Sequence, residues 1–415
     1  MMSKTIYVYE NWKSDQPNKI GELYVDFIKG KEVFSFTYED SWLENTFDAR
    51  LLDPDLMLYN GRQYAPVGKE MFGVFSDSSP DRWGRLLMDR RESILAKEED
   101  RKPRKLTQSD YLLGVYDQSR MGALRFKADE SEDFLSNDKT MAAPPWTSLR
   151  TLEEAVRSFE EDETTLDKKW LNQLIGPGSS LGGARPKASV VDVDGSLWIA
   201  KFPSKRDTYN IAGWEKVVHD LAKMLWLNVP ESRIEKFSKY GDTFLVKRFD
   251  RVKDKRIHFA SAMTMLGKED GESSESSYLD LASFIRAHGA NPTEDLLELW
   301  KRIVFNMLVS NTDDHLRNHG FILDDNGWRL SPLYDVNPVS KGEFLSLNVT
   351  ENDSRIDLNL ALDTAKYYGV SNQKAKIYIN DAIKLVSDNW EKIAKQYGIS
   401  RSSIEDMRPA FMTRL

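Results

Sequence analysis

The sequence predicts an α+β protein built in three successive parts, and three observations carry that prediction. Alternating apolar runs bounded by turn residues crowd residues 5–38, the period-2 pattern of half-buried strands. The glycine-rich stretch "GPGSSLGGARPK" is followed at once by two β-rich runs around Asp194-Gly195, the strongest short hairpin signal in the chain. From about Ser276 onward the apolar spacing is helical, in "SYLDLASFIRAHG", "TEDLLELWKRIVFNMLVS" and "IYINDAIKLVSDNWEKIAKQYG". The expected domains are an N-terminal α/β part over 1–145, a strand-rich part over 146–253 and a helical part over 254–415.

Taken in order, "TIYVY" reads as a strand, and "KIGELYVDFIKGKEVFSFTY" as two strands joined by a turn at Lys29-Gly30. "SSPDRWGRLLMDRRESILAK" predicts a helix capped by Ser79 with Pro80 at its first position. Ser109 is the expected cap of the helix "DYLLGVYD", and "GALRF" is a further strand. The acidic, proline-bearing stretch from Lys127 to Trp146 is the best candidate for a linker. Two helices, "LRTLEEAVRSFEED" and "TLDKKWLNQLI", lead into the glycine-rich stretch. After the hairpin "ASVVDVDGSLWIAKF" come the amphipathic helix "AGWEKVVHDLAKMLWL" and the short apolar strand "DTFLVKRFD".

Composition narrows the function. The 415 residues are 40% hydrophobic and 30% charged, as in an ordinary folded protein with a sizeable core. A net charge of −8 argues against bulk electrostatic binding of nucleic acid. The chain has no cysteine, which removes disulfides, thiolate zinc sites and thiol nucleophiles together and suits a reducing compartment. No apolar run has the length of a bilayer span. A cytoplasmic, soluble protein is expected.

The first chemical signal is "GSSLGGARPK", Gly178 to Lys187. Glycines let backbone N–H groups converge on a phosphate with no side chain in the way. It is not a Walker A loop, since no Gly-Lys-Ser/Thr closes it and a hairpin follows. By themselves the glycines fit a flexible surface turn better than a phosphate site. The order glycine loop, strand, turn, strand with Lys201 in "LWIAKFP" is that of a kinase nucleotide lobe, whose third-strand lysine holds the α/β-phosphates. A lysine ending an apolar run is costly to bury unless an anion meets it, and one that snorkels to water is the alternative. The next helix offers Glu215 to support that lysine, and "LVKRFDR" ends its strand at Phe249, where an adenine-contacting hinge would lie.

The second signal is "NTDDHLRNHGF", Asn311 to Phe321, placed directly after an apolar helix. In a kinase catalytic loop an aspartate orients the substrate hydroxyl, and an asparagine five positions later binds Mg²⁺. Asp313 and Asn318 keep that spacing. Asp335 follows across a short hairpin with an expected Asn326-Gly327 turn, and a carboxylate buried at a strand end asks for a cation. Asp314 and His315 are expected as loop supports or nucleotide contacts.

In this order, "SSLGGARPK", "IAKFPS", "LVKRFDR", "SYLDLASFIRAHGA", "NTDDHLRNHGF" and "LSPLYDVNP" resemble the landmarks of the HipA family, serine/threonine kinases acting as toxins of type II toxin–antitoxin modules. "FGVFSDSSPDRWGR" and "GALRF" resemble that family's amino-terminal domain, so the likeness covers most of the chain. The resemblance implies a protein-kinase-like two-lobed fold, with a β-rich nucleotide lobe, an all-helical C-terminal lobe and an additional N-terminal α/β domain. It implies ATP and Mg²⁺ as cofactors, with Asp313 the catalytic aspartate, Lys201 the phosphate-contacting lysine, and Asn318 and Asp335 the metal ligands. Gly182, Gly183 and Ala184 are then expected along the phosphates, Phe249 at the adenine and His315 at the nucleotide. Ser180 matches the serine that the family autophosphorylates, and the roughly two negative charges of a phosphoserine are intolerable beside ATP phosphates. The implied partners are a DNA-binding antitoxin of HipB type, with DNA reached only through it, and a protein substrate such as an aminoacyl-tRNA synthetase. No membrane is implied. The chain departs from many relatives at His258-Phe259-Ala260, where a Gln-Glu-Asp triplet is common, at Arg185-Pro186 and at Lys247.

Two rival readings use the same residues. Asp313, Asp314, His315 and His319 could hold a hydrolytic metal, with the histidines at helical i, i+4 spacing. "WEKIAKQYGISRSSIEDMR" could be a helix-turn-helix of a DNA-binding regulator. Its second helix sets Glu405 and Asp406 against Arg401 and Arg408, which leaves little attraction for phosphates. Trp390, Ile393, Tyr397, Ile404 and Met407 are better read as core.

Overall fold

A computed structural model describes residues 3–13, 16–44, 51–161, 171, 174, 185–253, 255–269, 271 and 275–411. They form two compact units: Met1–Lys205 with Lys247–Gly267, and Arg206–Val246 with Lys268–Leu415.

In the first unit, β1 (Ser3–Glu10), β2 (Asn18–Ile28), β3 (Lys31–Tyr38), β4 (Gln63–Tyr64) and β5 (Leu124–Lys127) form one antiparallel sheet, ordered β4-β3-β2-β1-β5. Alternation builds its core: Ile6, Val8, Leu23, Val25, Phe34 and Phe36 are buried from the same runs that carry the strand pattern. The β2–β3 turn is as expected, with Lys29 and Gly30 both left-handed (φ 51° and 79°), the geometry of a two-residue hairpin. The acidic stretch after β5 packs on this sheet. Phe134 lies edge-on to Tyr9 at 5.2 Å and beneath the Arg125 guanidinium at 3.7 Å.

Helices α1 (Asp40–Glu44), α2 (Gly73–Asp77), α3 (Arg82–Glu98), α4 (Gln108–Gly114) and α5 (Leu149–Glu161) accompany the sheet. Two expected caps shift. Ser79 does not cap α3; its hydroxyl donates to the Phe75 carbonyl at 3.0 Å, closing α2. Asp81 takes the cap and accepts from the Gly84 amide at 2.8 Å, so Pro80 precedes the helix. Ser109 yields to Thr107, which forms a reciprocal box with Asp110. Such a box satisfies two orphan donors where a lone serine satisfies one. The expected hairpin follows as β6 (Lys187–Val191) and β7 (Leu197–Lys201), with Gly195 at φ 81° in its turn. Of "TLDKKWLNQLI" only Leu171 and Leu174 are described, both buried.

The second unit is mainly helical: α6 (Ile211–Met224), α7 (Tyr278–His288), α8 (Pro292–Val309), α9 (Asn372–Gln396) and α10 (Arg401–Met407). The strands β8 (Ser232–Glu235) and β9 (Thr243–Lys247) pair antiparallel, as do β10 (Gly320–Asp324) and β11 (Gly327–Leu330). The β10–β11 turn lies one residue earlier than expected, on Asp325-Asn326. Gly327 instead opens β11 at φ 142°, where a Cβ would stand 2.9 Å from the His288 carbonyl oxygen. Trp390 stacks on Phe411 at 4.6 Å and on Trp214 at 6.4 Å. Ile404 and Met407 are buried beside them, and Ile393 and Tyr397 are half-buried. These side chains give the C-terminal helices their core face, while the exposed face of α10 carries Arg401, Ser402, Glu405 and Asp406, a balance of charge that leaves little attraction for phosphates.

Candidate active site

Helix α8 begins at an Asn291 cap with Pro292 in its first turn and is buried without a break from Arg302 to Val309. It stops because Ser310 turns left-handed (φ 49°, ψ 47°). The Asn311 amide then reaches back to the Asn306 carbonyl at 2.9 Å, the long bond of a Schellman-type ending. The Ser310 hydroxyl donates to the Ala410 carbonyl at 2.8 Å, so the sharp reversal is anchored on both sides. "NTDDHLRN" leaves from this fixed point.

Asp314 is the hub of that loop. It is 1% exposed, and one oxygen, Oδ2, meets three groups: the Tyr278 hydroxyl at 2.5 Å, the Asn306 amide nitrogen at 2.7 Å and His319 Nε2 at 2.8 Å. A carboxylate accepts here, so His319 presents its Nε2–H. Burial, and then the Asp314 carboxylate, hold the Tyr278 phenol well above its ordinary pKa, so it remains a donor at every ordinary pH. These partners come from α7, α8 and the residue just before β10, and they tie the loop to both helices and to the strand that follows it. Sequence reasoning passed over Tyr278 and Asn306 and read His319 only as a rival metal ligand. The available signal was Asn306 itself, a polar residue inside the apolar run "RIVFNMLV", since a buried amide needs a partner.

With Asp314 pinned inward, Asp313 points out, its side chain 79% exposed. Partial desolvation in the crowded loop raises the Asp313 pKa; the Asp335 and Asp314 carboxylates add to the rise and His315 opposes it. His315 Nε2 lies 3.9 Å from Asp313 Oδ1. Asn318 folds back so that its side-chain nitrogen donates to the Asp313 carbonyl at 2.8 Å. Its Oδ1 is then buried with no hydrogen-bond partner. Asp335 is half-buried and left-handed at φ 56°, an uncommon conformation outside glycine that collects at functional sites. Its segment is strapped to the loop: Tyr334 donates to the Arg317 carbonyl at 2.7 Å, and the Asn337 amide donates to Asn311 Oδ1 at 3.3 Å. The second unit thus brings Asp313, His315, Asn318 and Asp335 together.

The other expected residues are placed as follows. Lys201 ends β7 in the first unit and is 9% exposed. Phe249 lies just past the end of β9 at Lys247, half-buried, its ring 5.9 Å from Phe259. Glu215 is buried within α6 of the second unit. Ser180, Gly182, Gly183 and Ala184 lie outside the described residues. The hydrolase reading does not survive. His315 and His319 flank a 3-10 turn rather than sharing an α-helical face, and His319 is committed to Asp314. Among the described residues no group of three or more His, Asp or Glu side chains could hold a metal ion.

Comparison with known proteins follows the same lines. Residues 179–390 match the family described as the HipA-like C-terminal domain. Y4mE of Sinorhizobium fredii, an inferred kinase, is 32% identical over 248 residues, covering 53% of this chain and 51% of that protein. An inferred kinase of Haemophilus influenzae is 30% identical over 184 residues, 39% of this chain and 53% of that protein. The serine/threonine-protein kinase toxin HipA of Shewanella oneidensis is 24% identical over 228 residues, 48% of this chain and 52% of the toxin. The chain spans about half the length of the curated relatives it matches. A solved structure of Shewanella oneidensis HipA with HipB and operator DNA matches with a TM-score of 0.62 at 18% identity, covering 97% of this chain and 95% of that one. The fold is therefore the α+β, kinase-like fold of HipA, and the chain belongs to the HipA-like C-terminal domain family.

Proposed function

We propose that the protein is an ATP-dependent serine/threonine protein kinase, the toxin of a toxin–antitoxin pair. The observation that carries the reading is the loop 313–318 with Asp335: an outward aspartate of raised pKa, fixed by a buried hub, beside an amide oxygen that lacks a partner. Asn318 Oδ1 and the Asp335 carboxylate are hard oxygen donors of the kind Mg²⁺ takes, and the orphaned Oδ1 fits a cation that would satisfy it. When bound, Mg²⁺ supplies positive charge against the phosphates and the leaving group.

In the transfer, the oxygen of a substrate serine or threonine forms a bond to the γ-phosphorus of ATP. The bond from that phosphorus to the β,γ-bridging oxygen breaks, ADP leaves, and the hydroxyl proton passes to the Asp313 carboxylate. A raised pKa makes Asp313 a better acceptor of that proton. By the family resemblance Lys201 would serve the phosphates with Glu215 as its support, and Phe249 and His315 would serve the nucleotide. Gly182, Gly183 and Ala184 line the phosphates, and phosphorylation of Ser180 would expel the nucleotide by charge repulsion. The domain reading of 1–145, 146–253 and 254–415 goes with this function. So do a HipB-type antitoxin, through which DNA is reached, and a translation-linked protein substrate. The likeness to a HipA–HipB–operator complex supports the antitoxin.

The test is intact mass of the protein before and after Mg²⁺–ATP, beside Asp313→Ala. One added phosphate in the parent alone, mapped to Ser180, is expected. Phosphate gained equally by the Asp313→Ala variant would sink the assignment.

A further inference from the structure

Lys187 and Lys201 are direct partners in the β6–β7 register, so their side chains leave the same face of the hairpin with Cβ atoms about 5 Å apart. Both lysines are buried, at 3% and 9% exposure. Like charges directly opposite one another are destabilising, and burial sharpens the conflict. The first unit answers it from a distant part of the chain. Asp81 Oδ2 lies 2.7 Å from Lys187 Nζ, with both side chains almost wholly buried.

Asp81 is itself immobilised. It caps α3 through the Gly84 amide, and the helix N-terminus favours its negative charge. Two residues on, Trp83 Nε1 donates to the Lys187 carbonyl at 3.1 Å, and its ring is braced edge-on by Phe159 at 5.6 Å. The start of one helix therefore holds Lys187 at its ammonium and at its backbone. A fixed Lys187 fixes the cross-strand neighbour Lys201. Neither Asp81 nor Trp83 lies in the matched region 179–390.

We propose that Asp81, assisted by Trp83, is a positioning residue for nucleotide binding. Its carboxylate holds the buried Lys187 in place, and this sets the strand end from which Lys201 meets the phosphates. The inference rests on the kinase reading above. It makes the N-terminal segment a working part of nucleotide recognition.

The experiment is titration of the full chain with Mg²⁺–ADP by calorimetry, for the parent, Asp81→Asn and the double variant Asp81→Asn/Lys187→Met. Asparagine caps a helix as well as aspartate does, so the single variant removes charge and keeps the cap. The expected result is a Kd raised about tenfold or more, the scale on which a displaced positioning group is felt. The double variant, which restores neutrality to the pair, should recover most of that loss. It also keeps the test alive should Asp81→Asn fold poorly, since a double variant that folds yet binds no better than tenfold below the parent counts against the proposal. Parent-like affinity in Asp81→Asn overturns the positioning role alone. A parent that binds no nucleotide overturns the kinase reading and this proposal with it.

Discussion

Removing one hydroxyl tests whether the Asp314 hub holds the loop. Tyr278→Phe keeps the ring, which is fully buried, and deletes only the donor 2.5 Å from Asp314 Oδ2. A hydrogen bond to a charged acceptor contributes about 1.5–3 kcal/mol. The oxygen retains Asn306 and His319, so it is not orphaned and the lower half of that range applies, about 1.5–2 kcal/mol. In a folding unit of 150–250 residues each kcal/mol moves the melting midpoint by about 2–4 °C, which gives a fall of about 3–8 °C. The assay is urea unfolding followed by tryptophan fluorescence, where a lower midpoint at constant slope isolates stability. Phosphoryl transfer should slow by about tenfold without vanishing, because Asp313 keeps its carboxylate but loses its fixed setting. A midpoint change worth less than about 0.5 kcal/mol, the scatter of neutral surface changes, would refute the hub.

Three further outcomes follow from the same geometry. Gly327→Ala should lower stability by about 2 kcal/mol or more, since the residue sits at φ 142° and its new methyl meets the His288 carbonyl at 2.9 Å; an unchanged urea midpoint would show that the hairpin gives way freely. Burial raises the pKa of both Asp53 and Asp77 to about 6, so each binds its proton more tightly when folded. Their stabilisation is complete below about pH 4 and lost as pH rises through about 6, worth about 2–3 kcal/mol apiece. Asp77→Asn can still accept from the Ser261 amide, so it should flatten the melting-temperature profile between pH 4 and 6; a parent-like slope would exclude Asp77. Asp335→Gly should raise stability by about 1 kcal/mol by relieving the left-handed strain, while abolishing phosphoryl transfer. Melts and a radiolabel assay separate the two effects, and retained transfer would remove Asp335 from the site.

Regular elements were legible in the sequence because each carries its own local signal. The β1–β3 alternation and the Lys29-Gly30 turn are both settled within a few residues. Boundaries slipped where two local solutions competed. Ser79 could cap α3 or close α2, and it closes α2 because Asp81 is the better placed acceptor. Asp313 and Asn318 stand out in the sequence by their spacing, and Asp335 by its place just after a short hairpin. The hub does not, because Tyr278 and Asp314 are 36 positions apart and nothing local marks them as partners. Long-range polar pairing is the part of a site that only the folded chain displays.

The buried pair of Lys187 and Asp81 bears on how this protein can be cut. A fragment trimmed to the matched region, which begins at 179, would keep Lys187 and discard the Asp81 carboxylate that lies 2.7 Å from it. Lys187 would then face Lys201 across the hairpin with no carboxylate to balance the two, an arrangement that like charges directly opposite make unfavourable. The fragment would also strip the indole from the Lys187 carbonyl. Where homology stops and where charge balances are different lines on this chain, and a soluble, well-behaved product should be sought at the second.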